Sequence, residues 1–265
     1  MRLNHPPRRS ACLNGVATAY LDVAHGDTIV ALHGIPTSSL LFTPLLPYLS
    51  HYRLIAPDLL GQGLTATPAT GKLDYAAYAD HLRAFLEAVP PYQFHLLVHD
   101  VGGILGLEWA AEHVERVTSI TILSTTLTGS FRVGRALYAA NLIFGRSLLR
   151  WGLPSTLKRA QLETELLEEW TKPWSRRRIL RGTDHFASKH LQRIRSKIEE
   201  LRVPIMIMWG KQDTIFPVSH VSSIAKMFPT ARLCTIDRCG HWSPLDAPEE
   251  VAHSIVEFYK AHGHA

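Results

Sequence analysis

Cysteine is scarce. Three thiols, Cys12, Cys234 and Cys239, occur in 265 residues, with no CxxC pair and no ligand spacing. That argues against a disulfide framework or a thiolate metal site and fits bystander thiols in a reducing cytoplasm, the expected location. There is no HExxH and no His/Asp cluster at ligand spacing, so no metal is expected. No apolar run is long enough to cross a bilayer. Arg2, Arg8 and Arg9 near the N-terminus are not followed by an apolar stretch, so a secretory signal is not expected and the segment reads as a mobile basic tail. Charged residues make up 19% of the chain, with a net charge of +5. The excess positive charge collects in the tail and between Lys172 and Arg195. It does not follow one recognition helix, which argues for a solvated basic face and against nucleic acid as a partner.

What is present is a core. With 46% hydrophobic residues, the length suits one α/β unit plus an insertion, without internal repeats. Short aliphatic runs bounded by turn residues read as buried strands: Thr28 to Leu32, Arg53 to Ala56, Phe94 to Val98, Val117 to Leu123, Pro204 to Trp209 and Ala231 to Ile236. Continuous apolar runs are what strands need when helices cover both faces of a parallel sheet. An earlier pair around Ala17 to Ala24 is expected to start the sheet as an antiparallel edge. Tyr75 to Val89 repeats apolar residues at three- and four-residue steps and stops at Pro90-Pro91; Ile104 to Glu112 and Pro248 to Ala261 behave alike. This alternation predicts a doubly wound α/β sheet. From Gly129 to Leu201 no strand pattern occurs, only helix-like sequence. The core is therefore expected over 1–128 and 202–265, with a helical cap over 129–201 above the carboxyl edge of the sheet, where ligands bind in such folds. Glu168, Glu169 and Arg176 to Arg178 read as solvated cap surface.

The chemistry is most legible at Leu96 to Gly106, LLVHDVGGILG. A strand, a tight turn and a helix place Asp100 at the apex of a nucleophile-elbow layout in which Asp replaces the usual Ser. A carboxylate there can attack carbon and form an ester. The competing reading is that Asp100 merely caps the helix. An ester intermediate needs a base and an acid that holds it. Asp213 and His241 each follow a core strand, on the same edge as Asp100 and in the chain order nucleophile, acid, histidine. The His33-Gly34-Ile35-Pro36 turn offers the Ile35 N–H to join that of Val101 as donors to an oxyanion. His33 itself is expected to hold loops together. Ser38, Ser39 and Ser124 do not occupy the elbow, which argues against serine catalysis.

The segments HGIPTSS (33–39), RLIAPDLLGQG (53–63), HDVGG (99–103), GKQD (210–213) and GHWSPLDAPEEV (240–251) together resemble the aspartate-nucleophile branch of the α/β-hydrolase superfamily. That branch includes epoxide hydrolases, haloalkane dehalogenases and fluoroacetate dehalogenases. The resemblance spans about Gly15 to Tyr259 and is weakest across the cap. It implies an α/β-hydrolase fold, a mostly parallel doubly wound sheet with a helical cap inserted after the sixth strand, and a cofactor-independent hydrolase.

Departures from the pattern bear on the substrate. Haloalkane dehalogenases carry Asn after the HG and Trp after the Asp as halide donors, whereas Ile35 and Val101 stand here. Losing such donors should sacrifice about 2 to 4 kcal/mol of leaving-group stabilisation. A cap tryptophan, Trp151, Trp170 or Trp174, supplies one N–H at most. Fluoroacetate dehalogenases place Arg where Val101 and Ile104 are found. Epoxide hydrolases use cap tyrosines as acids, and Tyr138 is the cap tyrosine, with His185 as a substitute donor. The sequence thus points first to an epoxide hydrolase-like enzyme acting on a hydrophobic small molecule, in a pocket that includes His33, Ile104 and Trp242. Haloalkane dehalogenase-like chemistry, ester or lactone hydrolysis by the same triad, and a non-catalytic ligand-binding protein are the alternatives. The expected assembly is a monomer or homodimer.

Overall fold

The strands form because their side chains are apolar on both faces and both faces are covered. In the computed structural model, which describes residues 5–125, 127, 146–172 and 189–262, the strands Phe94–His99 and Ile205–Gly210 are buried along their whole length. Eight strands make one sheet: β1 (Arg9–Leu13), β2 (Val16–Val23), β3 (Asp27–Leu32), β4 (Tyr52–Pro57), β5 (Phe94–His99), β6 (Val117–Leu123), β7 (Ile205–Gly210) and β8 (Arg232–Ile236). Their order is β1-β2-β4-β3-β5-β6-β7-β8. β3 to β8 pair in parallel, while β2 pairs antiparallel with both β1 and β4.

Helices follow the strands: α1 (Tyr75–Ala88), α2 (Val101–Glu112), α3 (Arg146–Ser155), α4 (Thr164–Thr171), α5 (Lys189–Glu199), α6 (Ser219–Ala225), α7 (Ser243–Asp246) and α8 (Pro248–His262). A 3-10 segment, Ser39–Tyr48, precedes β4. α1 buries Tyr78, Leu82, Phe85 and Leu86 on one stripe, and Asp74 caps it by accepting from the Ala77 N–H at 3.0 Å. α2 is buried through most of its length, as a helix bearing Leu105, Leu107, Trp109 and Ala110 must be. Two apolar clusters result, one on each face of the sheet. Each fully buried Leu, Ile or Phe contributes about 1.5 to 3 kcal/mol.

The six expected core strands are present, with ends moved by at most one residue. The antiparallel edge is present too, but it pairs Arg9–Leu13 with Val16–Val23 and so begins well before Ala17. The expectation of a loose basic tail is overturned for the described residues there, because Arg9–Leu13 forms β1 and the Arg8 side chain is almost wholly buried. Between β6 and β7 the described residues carry α3, α4 and α5 and no strand, as the helix-like pattern there predicts.

The sheet positions the site by its order. The chain builds β3 and β4 outward, then returns to lay β5 on the other side of β3, so the loops leaving β3 and β5 diverge from neighbouring strands. Leu32 and Val98 are register partners at those strand ends. The HG turn and the Asp100 turn therefore meet at the topological switch point, the usual ligand crevice of such sheets.

Candidate active site

Asp100 follows β5 in a conformation that few non-glycine residues adopt, φ 53° and ψ −125°. Such backbone costs about 1 to 3 kcal/mol, and surrounding packing must enforce it. Here the enforcement is visible. The Asp100 carbonyl accepts from the Gly103 N–H at 3.0 Å and from the Thr125 hydroxyl at 2.6 Å. A Cβ on Gly102 would sit 2.4 Å from the Leu32 carbonyl oxygen, so only glycine lets α2 approach the end of β3 this closely. Although Asp100 stands at the N-cap position of α2, its side chain makes no capping hydrogen bond. The Ile35 N–H instead donates to Asp100 Oδ1 at 3.0 Å. That approach again requires glycine, since a Cβ at Gly34 would lie 2.2 Å from the same oxygen.

The other carboxylate oxygen, Oδ2, lies 3.7 Å from His241 Nε2, an ion-pair separation too long for a hydrogen bond. His241 Nδ1 donates to Asp213 Oδ2 at 2.9 Å. Asp213 Oδ1 accepts the Ile215 and Phe216 amides, both at 2.8 Å, which fixes the carboxylate before it meets the imidazole. His241 is held between Phe216 and Trp242, both edge-on to its ring. Its Nε2 is buried and has no hydrogen-bond partner among the described residues.

The electrostatics are those of one cation between two anions. Burial opposes charging His241, but Asp213 and Asp100 outweigh it and push the imidazole up to about 9. Burial likewise opposes ionisation of Asp100 and Asp213, and in each the facing imidazolium prevails and holds the carboxyl below its ordinary value. The resting site is therefore carboxylate, imidazolium, carboxylate.

The sequence-predicted residues are placed as follows. Asp100, His241, Asp213 and the Ile35 amide converge. Val101 is the first residue of α2, and its N–H makes no hydrogen bond to the Asp100 carboxylate. Ile104 is fully buried one turn further along α2. His33 turns inward: Nε2 accepts from the Leu59 N–H at 2.9 Å, and Nδ1 donates to the Gly34 carbonyl at 2.7 Å. With both nitrogens used, His33 holds the HG turn and offers nothing to a ligand. Trp242 packs on His241 and donates its Nε1–H to Thr156 Oγ1 at 2.6 Å. Trp170 donates its own to Ser38 Oγ at 3.1 Å. Tyr138, His185 and Trp174 lie outside the described residues, as does the Trp151 side chain.

Several residues escaped the sequence reading. His99 Nε2 donates to the His241 carbonyl at 3.0 Å; burial pushes its imidazole down to about 3, so it is a neutral prop for the histidine loop. Asp246 accepts the Gly240 N–H at 2.8 Å and the amides of Lys158, Arg159 and Ala160 at 2.9 to 3.1 Å. It joins the histidine loop to the segment ahead of α4. Glu169 is not solvated surface: it pairs with Arg8 and accepts from the Ser38 hydroxyl. The adjacency of HD and the acidic residue in SPLD were the available signals for the first two.

A family described as alpha/beta hydrolase fold matches residues 27–248. A cis-3-alkyl-4-alkyloxetan-2-one decarboxylase from Shewanella oneidensis is 28% identical over 275 aligned positions, covering 92% of this chain and 86% of that one. A haloalkane dehalogenase from Mycolicibacterium smegmatis is 39% identical over 123 positions, covering 43% and 38%. Among solved structures, a loop variant of a haloalkane dehalogenase from Bradyrhizobium elkanii superposes with a TM-score of 0.80 at 18% identity, covering 96% of each chain. That last likeness speaks for the fold alone.

Proposed function

Because the chain belongs to the α/β-hydrolase family, we propose that it is a hydrolase working through a covalent ester on Asp100, with His241 as base and Asp213 as the acid that holds it. The carrying observation is that Asp100, despite its N-cap position, caps nothing and spans the gap between the Ile35 amide and His241. A pure binding scaffold has no need of that strained geometry. Oδ1 rests on the Ile35 N–H, leaving Oδ2 to attack an electrophilic carbon as the bond to the leaving oxygen breaks. The resulting ester is neutral. His241 then keeps one opposing anion instead of two, so its pKa falls, it gives up its proton to solvent, and the neutral imidazole can take a proton from water. That water attacks the ester carbonyl, the Ile35 amide stabilises the oxyanion, and Asp100 is regenerated with an oxygen from solvent. The base is thus switched on by the intermediate it must resolve. The insertion between β6 and β7 acts as the cap over this chemistry.

The leaving group discriminates between substrates. Ile35 and Val101 carry no side-chain donor, and the Trp170 and Trp242 N–H groups are already engaged. Among the described residues, a halide loses its side-chain donors in such a site. A strained four-membered cyclic ester does not need one: opening at its alkyl carbon releases a carboxylate, which leaves as a stable anion. This favours a hydrophobic β-lactone-type substrate, in keeping with the oxetan-2-one named for the Shewanella relative. An epoxide, the ring first expected, suits the same attack if Tyr138 delivers a proton to its alkoxide.

The test is intact-protein mass spectrometry of His241→Gln incubated separately with alkyl β-lactones, epoxides and haloalkanes. The expected result is a stable adduct mapping to Asp100, formed with the β-lactone and absent from Asp100→Ala. A folded His241→Gln protein that acquires no adduct from any class would remove the covalent reading.

A further inference from the structure

The N-terminal segment contacts two acidic residues that belong to the insertion. His5 Nδ1 hydrogen-bonds with Thr43 Oγ1 at 3.1 Å, and its Nε2 lies 3.4 Å from Glu163 Oε2, at the start of α4. Three residues on, Arg8 Nη1 donates to Asp58 Oδ2 at 2.6 Å and to Glu169 Oε1 at 3.2 Å, while Nη2 donates to Glu169 Oε2. Each residue therefore meets one partner in the core and one at α4, Arg8 by hydrogen bonds to both and His5 by a hydrogen bond to Thr43 and close approach to Glu163. The spacing fits. Extended chain of the kind Pro6-Pro7 favours covers about 9 Å in three residues. Six helical residues, Glu163 to Glu169, rise about 9 Å. The segment can thus lie along α4 with both ends engaged.

The charges make Arg8 the important member. Asp58 is fully buried and also accepts the Ser39 and Leu64 amides, so it cannot turn away to solvent. Glu169 is mostly buried and shares the same guanidinium. Without that cation, two carboxylates from different parts of the fold would confront each other in a poorly solvated place. Glu169 lies on α4, and its next residue is Trp170. Trp170 packs at 6.1 Å from Trp242, which in turn stands edge-on to His241 at 4.5 Å. Trp170 and Glu169 also both hold Ser38, three residues beyond the Ile35 amide.

We propose that the segment from His5 to Arg8 is a clamp that fastens α4 against the core, and that Arg8 is a positioning residue which, through Glu169, sets the wall and the amide of the Asp100 site. The last part rests on the function proposed above; the clamp itself does not.

Hydrogen exchange of the full-length protein tests the clamp without any substrate. In Arg8→Met, amides of 156–171 should exchange roughly tenfold faster or more, while β5 and α2 keep their protection. Arg8→Lys should restore only part of it, because an ammonium cannot fork across two carboxylates. Adding Glu169→Gln to Arg8→Met should recover protection, since it removes one of the two confronted anions. Unchanged exchange in 156–171, loss spread evenly over the sheet, or a Glu169→Gln addition that deepens the loss would each overturn the clamp. In a His241→Gln background, Arg8→Met should raise the β-lactone concentration for half-maximal Asp100 labelling more than it lowers the limiting rate. An altered exchange pattern without any labelling would keep the clamp and discard the Asp100 reading.

Discussion

At Asp74 the backbone is extended, φ −90° and ψ 173°, and the carboxylate turns onto the Ala77 amide to cap α1. At Asp100 the backbone is left-handed and the carboxylate turns instead to Ile35 and His241. The same residue type, before two helices, has opposite work assigned by its φ. Replacing Asp100 by Asn keeps the shape and removes the charge. His241 then faces Asp213 alone, and its pKa should fall from about 9 toward the ordinary 6.5. NMR titration of the His241 ring measures this directly. The substitution imitates the charge change of the ester, so a histidine that still titrates near 9 would show that esterification does not switch on the base. The cluster of Asp100, Asp213 and His241 was legible in the sequence because each lies just beyond the carboxyl end of a sheet strand, and a parallel sheet brings such positions to one edge. His99 was not, since its partner is a backbone carbonyl 142 residues away and nothing local distinguishes it from a buried strand histidine.

Between elements, most of the organisation depends on side chains accepting backbone amides. Asp246, on the one-turn helix α7, ties the Gly240 amide of the histidine loop to three consecutive amides leading into α4. Asp246→Ala leaves four donors without their acceptor, the Gly240 amide in a buried place and the other three in a part-buried one. The expected cost is about 2 to 4 kcal/mol, given what charged hydrogen bonds contribute and what unpaired buried groups lose. Asp246→Asn, with one acceptor oxygen, should fall between the two. Denaturant midpoints measure the stability, and the lifetime of the proposed Asp100 ester measures a second effect, since a loosened histidine loop should slow the hydrolysis proposed for it. A midpoint unchanged in Asp246→Ala would mean that water replaces the carboxylate at no cost. At this scale the sequence revealed the strands with continuous apolar runs and failed where burial is one-sided. β1 exposes most of its short RSACL run, so no periodicity marks it. Ser39–Tyr48 contains Pro44 and Pro47, which break the helical pattern while the segment still turns as a 3-10 helix. Glu169 reads as surface because its partner, Arg8, lies 161 residues earlier in the chain.

For the whole molecule, the buried histidines oppose one another in pH. Burial pushes His33 down, His81 to about 4 and His99 to about 3, so the native state refuses protons that the unfolded chain accepts below 6.5. Stability must therefore fall as the pH drops from 6.5 through those values. His241 acts in the other direction. Its pKa is raised, so its contribution is complete below 6.5 and disappears as the pH rises from 6.5 through about 9. The two tendencies predict a stability maximum near pH 6.5, with each group adding a slope of up to about 1.4 kcal/mol per pH unit. Thermal melts across pH 4 to 10 give the profile, and two variants assign its limbs. His241→Gln should flatten the alkaline limb between 6.5 and 9 without touching the acid one. His81→Gln, whose amide can still meet the Thr18 hydroxyl that His81 contacts at 2.8 Å, should flatten part of the acid limb alone. An alkaline limb equally steep in His241→Gln would mean that no buried imidazolium sits between Asp100 and Asp213. A His241 that is neutral at rest could take a proton from water without any prior change, and the proposed switching of the base by the ester would lose its physical cause.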